Sequence, residues 1–124
     1  MKKDLEGKED IRQLIGSFYV KVRQDELIGP IFSEVAKVDW DHHLPVMYDF
    51  WEGVLFHTGN YAGNPMRVHK QLHEKFPLEQ AHFDRWLKIF RETLDEHFEG
   101  PVAEQARQRA LSIATMIRLK IESP

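Results

Sequence analysis

Asn64-Pro65-Met66-Arg67-Val68-His69-Lys70-Gln71-Leu72-His73 joins a helix start signal to an imidazole set among apolar residues, and the rest of the chain is organised around it. The asparagine side chain accepts from the unpaired N–H groups of a first helical turn, and proline at the first helical position gives up an N–H that had no partner. A helix is therefore expected to open at Pro65. His69 follows Met66 by three residues and precedes Leu72 by three, which puts all three on one side. A histidine on an apolar stripe is either a core residue with satisfied nitrogens or a metal ligand. This stretch alone leaves both open.

Upstream, His57-Thr58-Gly59-Asn60-Tyr61-Ala62-Gly63-Asn64 is dense in turn formers and ends a preceding helix. That helix is expected to begin near Asp41, as its N-cap, with Pro45 close to the start where a missing N–H costs little. Leu44, Met47, Trp51, Val54 and Leu55 mark its apolar face, with Phe50 beside it. His43 lies four residues before Met47 and faces inward; His42 is turned about 100° away and faces out.

The N-terminal third holds one more helix, about Lys8 to Arg23, with Ile11, Leu14, Ile15, Phe18, Tyr19 and Val22 on one face. Tyr19 sits on that buried side, where a phenol needs a polar partner. Gly29-Pro30 then breaks the chain, Phe32 plugs a turn or short helical corner, and residues 33–39 form a connection.

Downstream of His73 the helical pattern fails and Phe76-Pro77 marks a break. A long helix is expected from about Leu78 to Glu99, with Phe83, Trp86, Leu87, Phe90, Leu94 and Phe98 on one stripe and Gly100 as its C-terminal cap. Pro101 restarts a helix whose face is Val102, Ala106, Ala110, Ile113, Ala114, Ile117 and Ile121. Its small residues allow a close neighbour. With no strand pattern, repeat or linker, the chain reads as one all-α domain, residues 1–124, in which the last two helices fold back as an antiparallel pair covered by the first two.

Composition narrows the chemistry. Lys+Arg 17 against Asp+Glu 20 gives no phosphate-tracking surface, so no nucleic-acid partner is expected. No leader pattern is present, and no stretch approaches the roughly twenty apolar residues of a membrane span. A soluble cytoplasmic protein is expected. The absence of cysteine removes disulfides, thiolate metal sites, cysteine nucleophiles and thioether attachment of a cofactor. The chain contains no Gly-rich phosphate loop, nucleophile elbow or His-Glu-x-x-His motif. His69 and His73 have the i, i+4 spacing of zinc ligands but lack an adjacent carboxylate as third ligand. A di-iron bundle needs two inward Glu-x-x-His units, and Glu79-Gln80-Ala81-His82 alone has that spacing, on what reads as a solvated first turn.

Haem uses more of the sequence. It needs a neutral imidazole on one face, an apolar slot for the ring, and polar hydrogens on the other face. His69 suits the first as metal ligand. Phe32, Met47, Trp51 and Leu72 suit the second, and Tyr19, His43 and Trp86 suit the third. Ordinary core packing remains the alternative for each one singly.

In chain order, Ile11 to Arg23 with Phe18-Tyr19, Gly29-Pro30-Ile31-Phe32, Trp40-Asp41-His42-His43-Leu44, Asp49-Phe50-Trp51, Tyr61 to Met66 with His69, and Phe83-Asp84-Arg85-Trp86-Leu87 resemble the truncated haemoglobins, most closely their third group. The blocks span nearly the whole chain. The earlier groups carry Gly-Gly pairs after two of their helices; this chain has none.

The resemblance implies a two-over-two helical sandwich around a non-covalent haem b. It makes His69 the proximal iron ligand, Tyr19 the distal tyrosine, His43 the distal-helix histidine, Trp86 the tryptophan facing the same pocket and Phe32 the phenylalanine packed on the ring. It further implies binding of oxygen, nitric oxide and other diatomics, with dioxygenation of nitric oxide to nitrate or peroxide chemistry as the activity. That activity needs an external reductant from a separate reductase, and the protein is expected to be a monomer. A haem-based sensor or an oxygen store without turnover is the alternative, and a helical interaction domain without cofactor is a third class. His73 is a second candidate for the iron, and Arg67 and Lys70 are candidates to pair with haem propionates.

Overall fold

The computed structural model of the protein describes residues 2–58 and 65–122, leaving aside the side chains of residues 65–67. The regular structure of the described residues is helical, as expected, apart from an isolated bridge between Lys3 and Phe98.

The first helix, α1 (Lys8–Gln24), buries Ile11, Leu14, Ile15, Phe18, Tyr19 and Val22. Glu9 and Asp10 in its first turn and Lys21 and Arg23 in its last complement the helix dipole. It stops at Asp25, whose backbone is extended and whose carboxylate accepts from the N–H groups of Leu27 (3.0 Å) and Ile28 (2.9 Å). Gly29 follows where the chain returns against α1. A Cβ there would lie 3.0 Å from the carbonyl oxygens of Val22 and Arg23, so the close approach requires glycine.

The expected corner is a wide helical turn over Ile31–Val35, closed by Ala36 N–H to the Ile31 carbonyl at 2.8 Å, five residues back. Phe32 sits in it, half-buried.

The second helix, α2 (Trp40–Phe56), begins earlier than the expected Asp41 start. Asp39 is its N-cap and accepts from Asp41 N–H at 3.2 Å. Asp39 and Asp41 are equally good caps in isolation; Asp39 wins because the helix then includes Trp40, whose ring packs on Phe32 and Tyr19. Pro45 consequently falls in the second turn. Its missing N–H deprives the Asp41 carbonyl of an intrahelical donor, and Asp41 is exposed, so water can replace it. The helix ends at His57, in the left-handed region (φ 60), whose N–H meets the Gly53 carbonyl at 3.1 Å. The Asn64 cap and the turn formers of 59–64 lie outside the described residues.

Helix α3 (Pro65–Lys75) opens at Pro65 as expected. Helix α4 (Gln80–His97) is shorter at both ends than expected. At its start the Glu79 N–H is taken by His82 Nδ1 at 2.9 Å, a side chain reaching back to cap its own helix. At its end Phe98 is already extended, because the N-terminal arm competes for the backbone: Glu99 N–H donates to the Lys3 carbonyl at 2.9 Å.

Gly100 therefore does not cap α4; it turns the chain with φ 143 into α5 (Pro101–Glu122). Asp4 occupies the space a Cβ at Gly100 would need, 2.5 Å from its Cγ. That carboxylate accepts from Val102 N–H (2.9 Å) and Ala103 N–H (2.8 Å), so the start of the chain caps its last helix.

Helix α1 packs on α2 and α4, and α5 packs on α4, α2 and α3. The four long helices form the two-over-two sandwich, with the short α3 laid against α5. Phe18 and Phe90 meet at 5.3 Å at its centre, and Trp51 lies flat on Phe90 at 5.0 Å. Burying side chains of this size contributes about 1.5–3 kcal/mol each.

Candidate functional site

The well-buried core runs through α1, the later turns of α4 and along one face of α5. Around the corner turn, α2, α3 and the first turns of α4 the covering changes. Phe32, Met47, Leu72 and Trp86 pack against the core yet remain half-exposed. Large apolar side chains left half-covered around one core can form the walls of a site for an apolar ligand. Trp51 differs from them: at 2 % exposure it is sealed, with Phe90 on one side and Phe50 edge-on at 5.7 Å.

Polar groups enter these walls from separate helices. Tyr19, on the buried face of α1, is 5 % exposed. Burial raises the pKa of its phenol. His43 faces inward from the first turn of α2 while His42 is exposed, as the spacing predicts. The imidazole of His43 meets the Tyr19 ring edge-on at 5.4 Å. Its Nε2 is buried without a partner among the described residues.

Burial lowers the pKa of His43, and the neighbouring imidazoles of His69 and then His42 lower it further. His69 on α3 is thus near enough for its charge to be felt at His43, and it is half-buried itself. The two imidazoles are brought near one another from α2 and α3.

Trp86 stands apart from this pair. It lies flat on Phe90 (5.6 Å, 14°) and meets Phe18 edge-on at 5.3 Å, and Phe18 in turn touches the Tyr19 ring at 4.8 Å. Phe18 is therefore the shared neighbour through which Trp86 and Tyr19 are spaced.

His73, the other imidazole of α3, is engaged elsewhere. Its Nδ1 accepts the Leu78 N–H at 2.9 Å, which ties it to the end of its own helix. An imidazole accepting at Nδ1 carries its proton on Nε2 and has no lone pair left for a metal. Lys70 is exposed on α3, and the Arg67 side chain lies outside the described residues. No group of three or more His, Asp or Glu side chains placed to hold a metal ion occurs among the described residues.

Sequence reasoning missed two members of the site. Trp40 stacks on Phe32 (5.9 Å, 28°) and touches both Tyr19 (5.3 Å) and His43 (5.6 Å). The Arg23 guanidinium lies over the Trp40 ring at 5.0 Å. The signal was available: Trp40 is three residues before His43, and Arg23 is four after Tyr19, each one helical turn from a chosen residue.

These residues fit a haem. The walls are apolar and half-covered, the inward groups are neutral donors, and the one orphaned buried polar atom among the described residues, His43 Nε2, points to a ligand that would partner it.

Comparison with known proteins agrees. The sequence model of the family described as bacterial-like globin matches residues 3–122. Group 3 truncated hemoglobin ctb of Campylobacter jejuni is 35% identical over 118 residues, which cover 93% of this chain and 91% of that protein. The crystal structure of the group III truncated hemoglobin from Campylobacter jejuni superposes with a TM-score of 0.86 at 32% identity, covering 99% of this chain and 97% of the other.

Proposed function

Because the chain belongs to the bacterial-like globins and, among truncated haemoglobins, to the third group, it is a haem protein that binds diatomic ligands, and we propose that its work is the removal of nitric oxide as nitrate. His69 would hold the haem iron. Phe32, Met47 and Leu72 would pack on the ring, with Trp51, sealed against Phe90, backing them, and the ring would be haem b held without covalent bonds, since the chain has no cysteine for thioethers. When bound, the haem supplies a ferrous iron with one open position for a diatomic and one electron to give.

Tyr19, Trp86 and His43 would govern the fate of a bound diatomic. The Tyr19 phenol, its pKa raised by burial, keeps its proton at any physiological pH, so its hydroxyl can donate into the slot. The Trp86 indole N–H donates and never accepts. His43, held neutral by burial, keeps one N–H and one lone pair, so it can pass a proton without placing a positive charge in the apolar walls. Donors fixed in place before the ligand arrives favour a diatomic that has gained negative charge. Two such bonds, at about 1.5–3 kcal/mol each, slow ligand escape by over a hundredfold if additive. Slow release disfavours oxygen delivery and favours reaction inside the slot.

The net conversion consumes one oxygen molecule, one nitric oxide and one electron and yields one nitrate ion. The electron must come from outside, and a separate reductase is implied. The observation that carries the reading is the unpartnered His43 Nε2 beside the buried Tyr19 ring.

Mixing the reduced, oxygenated protein with nitric oxide in a stopped-flow cell tests it. Nitrate formed in a one-to-one ratio with nitric oxide, sustained when an electron donor is supplied, is the expected result. Nitric oxide left unconsumed would leave an oxygen store or ligand sensor as the account.

A further inference from the structure

The His43 Nε2 has no hydrogen-bond partner among the described residues, so no hydrogen bond at that atom sets the direction of the imidazole beside Tyr19. Ring packing does. One indole reaches both: Trp40 touches Tyr19 at 5.3 Å and His43 at 5.6 Å, the latter edge-on at 84°. It stacks with Phe32 of the corner turn at 5.9 Å, and the Arg23 guanidinium lies over its ring at 5.0 Å.

The connectivity makes this a coupling between helices. Arg23 is one turn beyond Tyr19 on α1, and Trp40 is one turn before His43 on α2. The cation of one helix therefore clamps the ring of the other, one turn from each ligand-facing group. Arg23 is exposed and Trp40 half-buried, so the clamp lies between the site and solvent.

We propose that Trp40, clamped by Arg23, is a positioning residue that holds Tyr19 and His43 in a single arrangement toward the ligand. The inference rests on the reading of those two side chains as the ligand-facing pair. With the clamp loosened, the Tyr19 ring gains room toward the vacated indole, and His43 can turn outward along the first turn of α2. Several arrangements then replace one, and a bound diatomic meets fewer donors in most of them.

The infrared stretch of carbon monoxide bound to the reduced, haem-loaded protein reads this directly, because its frequency follows the polar groups around the ligand and each arrangement gives its own band. The parent should show one dominant band. R23Q and W40L should each split it or move intensity to the frequency of an apolar surrounding, and should speed oxygen release severalfold, W40L more than R23Q. R23K, which keeps a cation over the indole, should restore the parent pattern.

A purely structural role for Trp40 would lower the melting temperature and leave bands and release rate unchanged, which overturns the proposal. Should W40L fail to fold, R23Q decides alone, since its side chain is exposed: parental bands in R23Q refute the clamp. A parent that binds no carbon monoxide refutes the haem reading itself, and this inference with it.

Discussion

Asp25 at the end of α1 and Arg85 on α4 meet at 2.8 Å, one residue before Trp86. The same Asp25 carboxylate takes the N–H groups of Leu27 and Ile28, so one side chain fixes the turn that leads to Phe32 and ties it to the helix carrying Trp86. The Arg85 side chain is 39% exposed, which limits the ion pair to about 0–1 kcal/mol. The two backbone donors are the larger share. D25A should therefore lose about 1–3 kcal/mol of stability and R85L less than half of that, measured by urea denaturation. Equal losses would assign the stability to the ion pair instead.

Asp4 makes the corresponding closure at the other end of the fold. Capping α5 from outside its own sequence, it should cost about 1–2 kcal/mol when changed to alanine. G100A should be destabilising as well, from the crowding against Asp4 and the positive φ.

These two carboxylates contribute to acid sensitivity. Burial pushes both pKa values up, but the N–H groups of Val102, Ala103 and Leu5 around Asp4 outweigh it. Those of Ile28 and Leu27, together with Arg85, do the same for Asp25, and both pKa values end below the ordinary 3.8. A carboxylate whose folded pKa is depressed contributes stability that is present above its unfolded pKa and lost as pH falls through the folded one. Stability should thus drop on acidification below about pH 4, and the D4N/D25N double variant should show a flatter dependence there. An undiminished slope in the double variant would place the acid sensitivity elsewhere.

His73→Ala should leave the haem absorption spectrum unchanged while costing about 1 kcal/mol of stability, because the imidazole closes the end of α3 on Leu78. A changed spectrum would put His73 at the iron.

Tyr19→Phe should speed oxygen release by about ten- to a hundredfold, the loss of one hydrogen bond to a charged acceptor. Flash photolysis or oxygen displacement by carbon monoxide measures it. A parental rate removes Tyr19 from the donor role.

The helices were legible in the sequence because a 3.6-residue apolar period and helix punctuation are local signals. Ile11 through Val22, and Phe90 with Leu94, are buried where that period puts them. What was not legible depended on distant partners. The early end of α4 at His97 and the turn at Gly100 arise from Lys3 and Asp4, nearly the whole chain away. The start of α2 at Trp40 rather than after Asp41 rests on packing with Tyr19 and Phe32 from other elements. In the site, inward direction was readable for Tyr19 and His43 from spacing alone. The Arg23–Trp40 clamp was not, because a charged residue near the end of a helix reads as solvated until the ring beneath it is seen.

The central claim is that His69 holds the haem, and absorption spectroscopy of the haem-loaded protein tests it most directly. The parent should show a Soret band, and H69G should lose or shift it and regain the parent spectrum when free imidazole is added. A Soret band in H69G identical to the parent's, with no response to imidazole, would contradict the account.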